Sequence, residues 1–455
     1  MSYDLLVIGG GAGGMAAARA ARHWGKQVAL VQDGPVGGDC TFTGCVPSKT
    51  LIEAAEHGQP FDTAITRVQQ TVAAIAATET ADVLRAEGID VVEGRARLTG
   101  PGGAVVDGKP IRAARLLLST GAVPLVPAIP GLRMVDGFLT SDTVWDLRQA
   151  PSSLVVLGGG AIGCELAQAF AQFGVRVTLI EALDRLLARE EPEAGAAVTE
   201  VLTRAGIDVR LGVSVVGVEY PHPSVVRVLL ADGSTVDSEQ LLIAVGRRPM
   251  TEGLDLAAAG VATDDRGFIR VDDHLLTTAR GVYAAGDVTG KLQFTHAADE
   301  MGRTAAINAL RRPLRLRFRT DAIPWVTFTR PEVARVGMTE AEAAAHRGRV
   351  AFLPMQEVDR AVTAGRTDGF IKLIAGPRRA TGNLAGGRVL GATIVAERAG
   401  EMIHEVALAI RTGMFTGRLA QTVHAYPTWS TGIRSTAAQF FVEQKGRKAI
   451  PARRT

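Results

Sequence analysis

Along the chain, short unbroken apolar runs end abruptly in glycine and give way to alanine-rich stretches with helical spacing. This happens at YDLLVIGGGAGGMAAARAARHW and again at SSLVVLGGGAIGCELAQAFAQFG; each is followed by a second apolar strand, QVALVQD and RVTLIEA. A buried strand, a glycine turn, a helix and a second buried strand make a βαβ unit, so two such units are predicted in tandem. Between them the pattern changes: GIDVVEGRARLTGPGGAVVDGKPIRAARLLLSTG reads as short strands broken by glycine turns, a meander rather than another crossover. A second stretch of this kind runs from DVRLGVSVVGVEY through LLIAVGRRP. After Arg319 come IPWVTFTRPEVARVGMTEAEA, the strands VAFLPM, FIKLIA and VLGATIVA, and the helical AGEMIHEVALAIRTG, which predict a third, α+β domain.

Length supports this division, because 455 residues suffice for two or three cores that need no disulfide staples. The longest apolar runs fall far short of the ~20 residues that span a bilayer, so no membrane association is expected. MSYDLLVIGGG lacks the basic region, apolar run and cleavage site of an export signal, which points to the cytoplasm. The net charge of +3 is small; its basic runs, RRPLRLRFR (Arg311 to Arg319) and KGRKAIPARRT, read as a solvated linker and terminus, and no nucleic-acid partner is expected. Three cysteines cannot make a disulfide framework. Cys164, in AIGCELAQAF, reads as a small buried hydrophobe.

The glycine loops carry the first chemistry. Gly9, Gly11 and Gly14, and then Gly158, Gly160 and Gly163, follow Gly-x-Gly-x-x-Gly, which lets backbone N–H groups approach a pyrophosphate at the positive end of a helix. Each loop is expected to hold one dinucleotide. Glu181, ending the second unit's second strand, is placed to accept ribose hydroxyls and to repel a 2′-phosphate, favouring NADH over NADPH; Arg185, four residues on, is the counter-signal. In the first unit Gln32 and Asp33 occupy that place. Cys40 and Cys45, separated by four residues in GGDCTFTGCVPSKT just behind the first loop, suggest a flavin-coupled redox pair. A structural disulfide and half a zinc site are the alternatives, the latter without a Cys or His cluster to complete four ligands, so no metal is expected.

The chain resembles the flavoprotein pyridine nucleotide–disulfide oxidoreductases, which include dihydrolipoamide dehydrogenase, glutathione reductase and mercuric reductase. The resemblance runs over essentially the whole chain, through GGGAGG, GGDCTFTGCVPSK, LLLSTGAVP, GGGAIGCE, AVGRRP, GVYAAGDV and FTRPEVARVGMTEAEA in that order. It implies an α/β fold of two Rossmann-like dinucleotide-binding domains, the FAD domain (1–148 and 271–320) interrupted by an NAD domain (149–270), with a C-terminal α+β dimerisation domain (321–455). It also implies a homodimer that binds FAD and NAD(H), with NADP(H) less favoured. Gly9, Gly11, Gly14, Gln32, Asp33, Thr120, Gly121, Gly286 and Asp287 would then face FAD, and Gly158, Gly160, Gly163, Glu181 and Gly246 would face NAD. By resemblance Cys45 lies against the flavin as the charge-transfer thiolate and Cys40 is the interchange thiol. Lys49 sits near the flavin's reactive nitrogen, paired with Glu165. Placement before a helix and beside Lys49 is expected to lower the thiol pKa.

One departure decides the expected function. Where disulfide-reducing members carry His-Pro-Thr-x-x-Glu from the other subunit, this chain has VHAYPTWSTG, with Tyr426 in the histidine position and Thr431 in the glutamate position. A phenol with a pKa near 10 is a poor base at neutrality. His424, two residues earlier, would share Tyr426's side of an extended segment, and otherwise reads as exposed or satisfied by a helix. Tyr-Pro-Thr resembles the mercuric-reductase-like branch, but the tail FFVEQKGRKAIPARRT lacks the vicinal cysteines that would receive the metal, and no N-terminal metal-binding module is expected. The expected activity is hydride transfer from NADH through FAD to the Cys40–Cys45 disulfide and on to a small-molecule electron acceptor. Alternatives are a dihydrolipoamide dehydrogenase with a rearranged base, a mercuric-reductase-like metal or quinone reductase, and a redox-sensing flavoprotein that does not turn over.

Overall fold

The first glycine-terminated run, Leu5–Ile8, is a strand with every residue buried, and strands closed on both faces are what continuous apolar runs specify. It lies in a sheet of order Val282–Ala284, Leu116–Leu118, Leu5–Ile8, Val28–Gln32 and Asp90–Glu93, with all neighbours parallel. The fold is that of a computed structural model, which describes residues 2–134, 137–222, 224–311, 313–378 and 382–454. Arg312 of the basic run and the terminal Thr455 lie outside them.

Two compact units form, one of 1–127, 139–150 and 245–319, the other of 128–138, 151–244 and 320–455. In the first unit, the predicted meander holds only in its middle, the antiparallel run Ala96–Gly100, Gly103–Val106 and Lys109–Ala113, extended by Ser2–Tyr3; its ends, Asp90–Glu93 and Leu116–Leu118, are instead strands of the parallel sheet, where their buried apolar residues pack. The helix Ala12–His23 follows the first loop and packs against the helix Thr295–Leu310 without intervening side chains. A methyl group at Gly302 would lie 2.0 Å from the Gly13 carbonyl oxygen, and one at Gly13 would lie 3.1 Å from that of Ala298. Small residues at 13, 298 and 302 thus set the spacing of these two helices.

In the second unit, Gln240–Ile243, Ser153–Leu157, Arg176–Glu181 and Asp208–Leu211 lie side by side and parallel. The helix Ala161–Gln172 is buried from Gly163 to Phe170, which explains why its sequence is apolar around most of its circumference. The second predicted meander is a three-stranded antiparallel sheet only over Val215–His222, Val225–Leu230 and Thr235–Ser238; its first and last apolar runs are the parallel strands Asp208–Leu211 and Gln240–Ile243. The α+β segment forms a six-stranded antiparallel sheet of order Trp325–Thr327, Glu332–Gly337, Arg388–Ala396, Phe370–Gly376, Arg349–Pro354 and Ile450–Pro451. Met402, Ile403, Val406 and Ile410, spaced along one face of the helix Ala399–Arg411, join Ile394 and Leu373 in its core. No helix among the described residues is long and apolar enough to cross a membrane.

Candidate active site

Within each glycine loop the glycines divide by what surrounds them. At Gly9, with φ +105°, a Cβ would lie 2.3 Å from the Ser119 carbonyl oxygen, and at Gly14 it would lie 1.8 Å from that of Gly9. These two are required by strand and helix packing. Gly11 is different: the nearest atom to an added Cβ is the Gly38 Cα at 3.8 Å. The second loop repeats the division, with Gly163 1.9 Å from the Gly158 carbonyl oxygen and Gly160 facing nothing within 4 Å. A methyl at Gly11 or Gly160 would project into the cradle at the helix N-terminus, where a pyrophosphate must approach bare backbone, so the residues present fit a dinucleotide in each loop.

The residues closing the second strands brace these loops. Gln32 Oε1 accepts the Gly10 N–H at 2.6 Å, and its Nε2 donates to the Asp33 and Pro35 carbonyls. Glu181 plays the same part in the second loop, accepting from Gly159 N–H at 2.6 Å through Oε2 and from Leu183 N–H at 2.9 Å through Oε1. Asp33 is exposed and 3.7 Å from Arg95. Arg185 donates to the Ala188 carbonyl at 2.9 Å. Thr120 donates to the Met250 carbonyl at 2.6 Å, beside Gly121 at φ +79°. Gly246 immediately precedes the strand Arg247–Pro249, which pairs with Ala122–Pro124.

The cysteines lie in consecutive helices, Cys40 in the short Gly38–Phe42 and Cys45 as the first residue of Cys45–Glu56, capped by Gly44 with no side-chain bond. Both are thiols rather than a disulfide; Cys45 is exposed and Cys40 half-buried. Cys45 Sγ is 3.5 Å from Thr295 Oγ1, and Thr295 is the first residue of its own helix. Lys49, one turn along from Cys45, is half-buried. The expected lowering of the thiol pKa does not hold for Cys40. Its hydrogen bond to Cys45, burial and the charge of Cys45 push it well up, and a smaller lowering through Thr295 does not offset them. Two thiols this close cannot both ionise, so the second proton is held firmly. Cys164 is fully buried and its thiol is likewise pushed up, by burial.

Beside the pair lies a charged cluster of which the sequence reading named only Asp287 as a site residue. Arg247, of the AVGRRP turn, donates to Asp39, the residue before Cys40, and to the Ala122 carbonyl, and its Nε is 3.6 Å from Asp287. Asp287, next to Gly286 at φ +81°, keeps 22% of its side chain exposed. Its carboxyl is pushed up to about 6, chiefly by burial; Arg247 counteracts this, while Asp39 and Cys45 add to it. The signals in the sequence were the adjacency of Asp39 to Cys40 and the separate AVGRRP and GVYAAGDV motifs, but nothing in the spacing relates residues 39, 247 and 287.

In the second unit, Glu165 is 5% exposed and accepts the Phe328 N–H at 2.8 Å. Residues 422–427 form no strand, and His424 and Tyr426 turn to different neighbours rather than to a shared side. The His424 side chain is only 8% exposed; Nε2 lies 3.0 Å from Glu405 and Nδ1 3.0 Å from the Thr422 carbonyl. Glu405, on the helix Ala399–Arg411, has no counterpart in the sequence reading. Tyr426 is 73% exposed and donates to Asp359 at 3.1 Å, a contact that raises its phenol above the ordinary range. Thr431 bonds Thr428.

Comparison with known proteins gives these placements a context. Residues 3–302 match the model of the pyridine nucleotide-disulphide oxidoreductases, and residues 323–437 that of the family's dimerisation domain. A mercuric reductase of Streptomyces lividans is 39% identical, covering 96% of each chain, and a dihydrolipoyl dehydrogenase of Thermus scotoductus is 34% identical over 96% of this chain and 97% of its own. Among solved structures, the HOCl-induced flavoprotein disulfide reductase RclA from Escherichia coli superposes with a TM-score of 0.88 at 31% identity, over 96% of this chain and 99% of its own. RclA has also been solved as a Cu(II) complex, which superposes with a TM-score of 0.87. The two paired glycine loops, the thiol pair and these full-length matches together establish that the chain belongs to the pyridine nucleotide–disulphide oxidoreductase family.

Proposed function

We propose that the protein is a homodimeric, NADH-preferring flavoenzyme whose Cys40–Cys45 pair passes two electrons to an acceptor that needs no protonating side chain, a class that includes oxidised metal ions and quinones. Enzymes of this family use FAD and NAD(P)H. FAD, when bound, supplies the step from a two-electron hydride donor to the thiols. The chain's own part is to bind and orient. The 9–14 loop and Asp287 are suited to FAD, and the 158–163 loop with Glu181 to NADH. Cys45, at a helix N-terminus with Lys49 one turn away, is suited to hold negative charge, whereas Cys40 retains its proton.

The observation that carries the choice of acceptor is at 426. An exposed phenol whose hydrogen bond to Asp359 moves it further from neutrality is a poor shuttle for the protons of thiol–disulfide interchange. A mercuric reductase among the relatives and a Cu(II) complex among the similar structures point the same way. The test is an acceptor panel with NADH, comparing Hg(II), Cu(II), a quinone, lipoamide and glutathione disulfide, in wild type and Cys40→Ser. Turnover with metal ion or quinone and not with disulfides is expected.

A second reading, a dihydrolipoamide dehydrogenase with a rearranged base, is favoured by the His424–Glu405 pair and by the dihydrolipoyl dehydrogenase among the relatives. The same panel decides it. Lipoamide turnover of many per second, lost in His424→Gln, would replace the first reading.

A further inference from the structure

The helix Thr295–Leu310 begins without a side-chain cap, and Thr295 as its first residue has no helical reason to be a β-branched hydroxyl residue. Its hydroxyl instead meets Cys45 Sγ at 3.5 Å, and Cys45 is itself the first residue of the helix Cys45–Glu56. Two helix N-termini therefore face one sulfur, one carrying it and the other carrying a hydroxyl. The close packing of Gly302 and Ala298 on Gly13 clamps the Thr295 helix to the helix behind the first glycine loop, so the backbone that carries this short side chain is fixed.

From this geometry we infer that Thr295 is a positioning residue that holds the charge of the reduced pair on Cys45. A thiol can donate to or accept from the hydroxyl, but a thiolate can only accept. Once Cys45 loses its proton to solvent, the Thr295 O–H must donate, giving a charge-assisted bond that the thiol form lacks. The ionised form gains more than the neutral one, and Cys45 ionises first. Cys40 then faces an anion, in keeping with the upward displacement of its own thiol, which a smaller lowering by the same Thr295 hydroxyl does not offset. The inference rests on the reading of Cys40 and Cys45 as the redox pair and says what makes them unequal.

The test uses holoprotein reduced with dithiothreitol. Iodoacetamide alkylation of Cys40 and Cys45 is followed separately by peptide mass spectrometry from pH 5 to 9, in wild type, Thr295→Val and Thr295→Ser. The Val variant keeps the shape and removes the hydroxyl; the Ser variant keeps the hydroxyl. In Thr295→Val the alkylation profile of Cys45 is expected to move up by about one pH unit, the size of one hydrogen bond to a charged group, and in Thr295→Ser to return to within a few tenths of wild type. A Cys45 profile that does not move in Thr295→Val, or a shift confined to Cys40, overturns the assignment, as does a shift of equal size in Thr295→Ser. The long-wavelength thiolate–flavin band on anaerobic reduction separates the two levels. Absence of that band in wild type would defeat the flavin–thiolate reading, whereas the alkylation profiles judge Thr295 independently.

Discussion

Asp287 is a carboxylate that burial disfavours in the protein alone and that, on the proposed reading, a bound flavin would favour. Burial has pushed its carboxyl from 3.8 to about 6 despite Arg247 3.6 Å away. A carboxyl with a raised native pKa binds more protons folded than unfolded between those values. Its effect is therefore to lower stability as pH rises from about 4 to 6, with the full cost present above 6. Asp287→Asn is expected to stabilise the flavin-stripped protein by roughly 2 kcal/mol at pH 7, with the gain vanishing near pH 4. Urea melts at both pH values check this, and equal gains at the two would show that ionisation is not the cause. A flavin hydroxyl donating to this carboxylate would reverse the sign, so the same variant should hold FAD more weakly, read by flavin fluorescence on dilution.

At the scale of the element, each glycine loop separates packing from binding. Gly14→Ala puts a methyl 1.8 Å from the Gly9 carbonyl oxygen and must displace helix from strand. A loss of about 3 kcal/mol or more is expected, as for overpacking a closed core. Gly11→Ala meets nothing closer than 3.8 Å and should leave the flavin-stripped protein's melting temperature within a few degrees of wild type, while sharply weakening FAD retention. If Gly11→Ala instead unfolded the stripped protein as Gly14→Ala does, the division would fail. The loops were legible in the sequence because strand, glycine spacing and helix are local and contiguous. The cluster of Asp39, Arg247 and Asp287 was not, because three residues far apart in the chain meet only in the folded structure. The same holds for Thr295 beside Cys45 and for Glu405 beside His424, each pair made by tertiary packing that no periodicity encodes. Gln32 and Glu181 were placed correctly at their strand ends, but the part they play in bracing Gly10 and Gly159 depends on side-chain reach, which motif spacing does not specify.

Across the whole second unit, distant segments are joined through one cation. Lys372 is 2% exposed, and its Nζ lies 2.6 Å from Glu193, 2.9 Å from Glu340 and 3.2 Å from Glu191. Glu340 in turn accepts the Arg453 N–H at 3.1 Å, so a sheet strand, the start of the helix Pro192–Arg204 and the C-terminal segment share one charge. Burial alone would lower the lysine's pKa, but the bonds to Glu193 and Glu340 outweigh it and raise the value. The lysine's own titration therefore leaves the anchor intact below its ordinary range and loosens it as pH rises beyond that. Lys372→Met leaves buried carboxylates without their cation and should cost about 3–5 kcal/mol, seen as a fall of many degrees in melting temperature. Glu193→Gln should cost less, because Glu193 is 45% exposed.

On the proposed reading, the choice of acceptor turns on what stands at 426 and 431. If the missing His–Glu pair is what denies this chain ordinary disulfide substrates, restoring it should restore them. Tyr426→His with Thr431→Glu replaces an exposed phenol bonded to Asp359 and a hydroxyl bonded to Thr428, neither of them buried, so the fold should tolerate both changes. General acid–base catalysis contributes about a hundredfold or more, so NADH-dependent lipoamide or glutathione disulfide reduction should rise by roughly that factor. Turnover with metal ion or quinone should stay within a few fold of wild type. Either single substitution should fall well short, since a histidine without its carboxylate is neither oriented nor tuned. The pH profile discriminates further: a gain resting on the new imidazole must fall away below about pH 6 as the ring protonates, whereas a gain from loosened packing would not follow that titration. A double variant with unchanged disulfide activity would move the barrier from the proton shuttle to the access or shape of the site around Cys40.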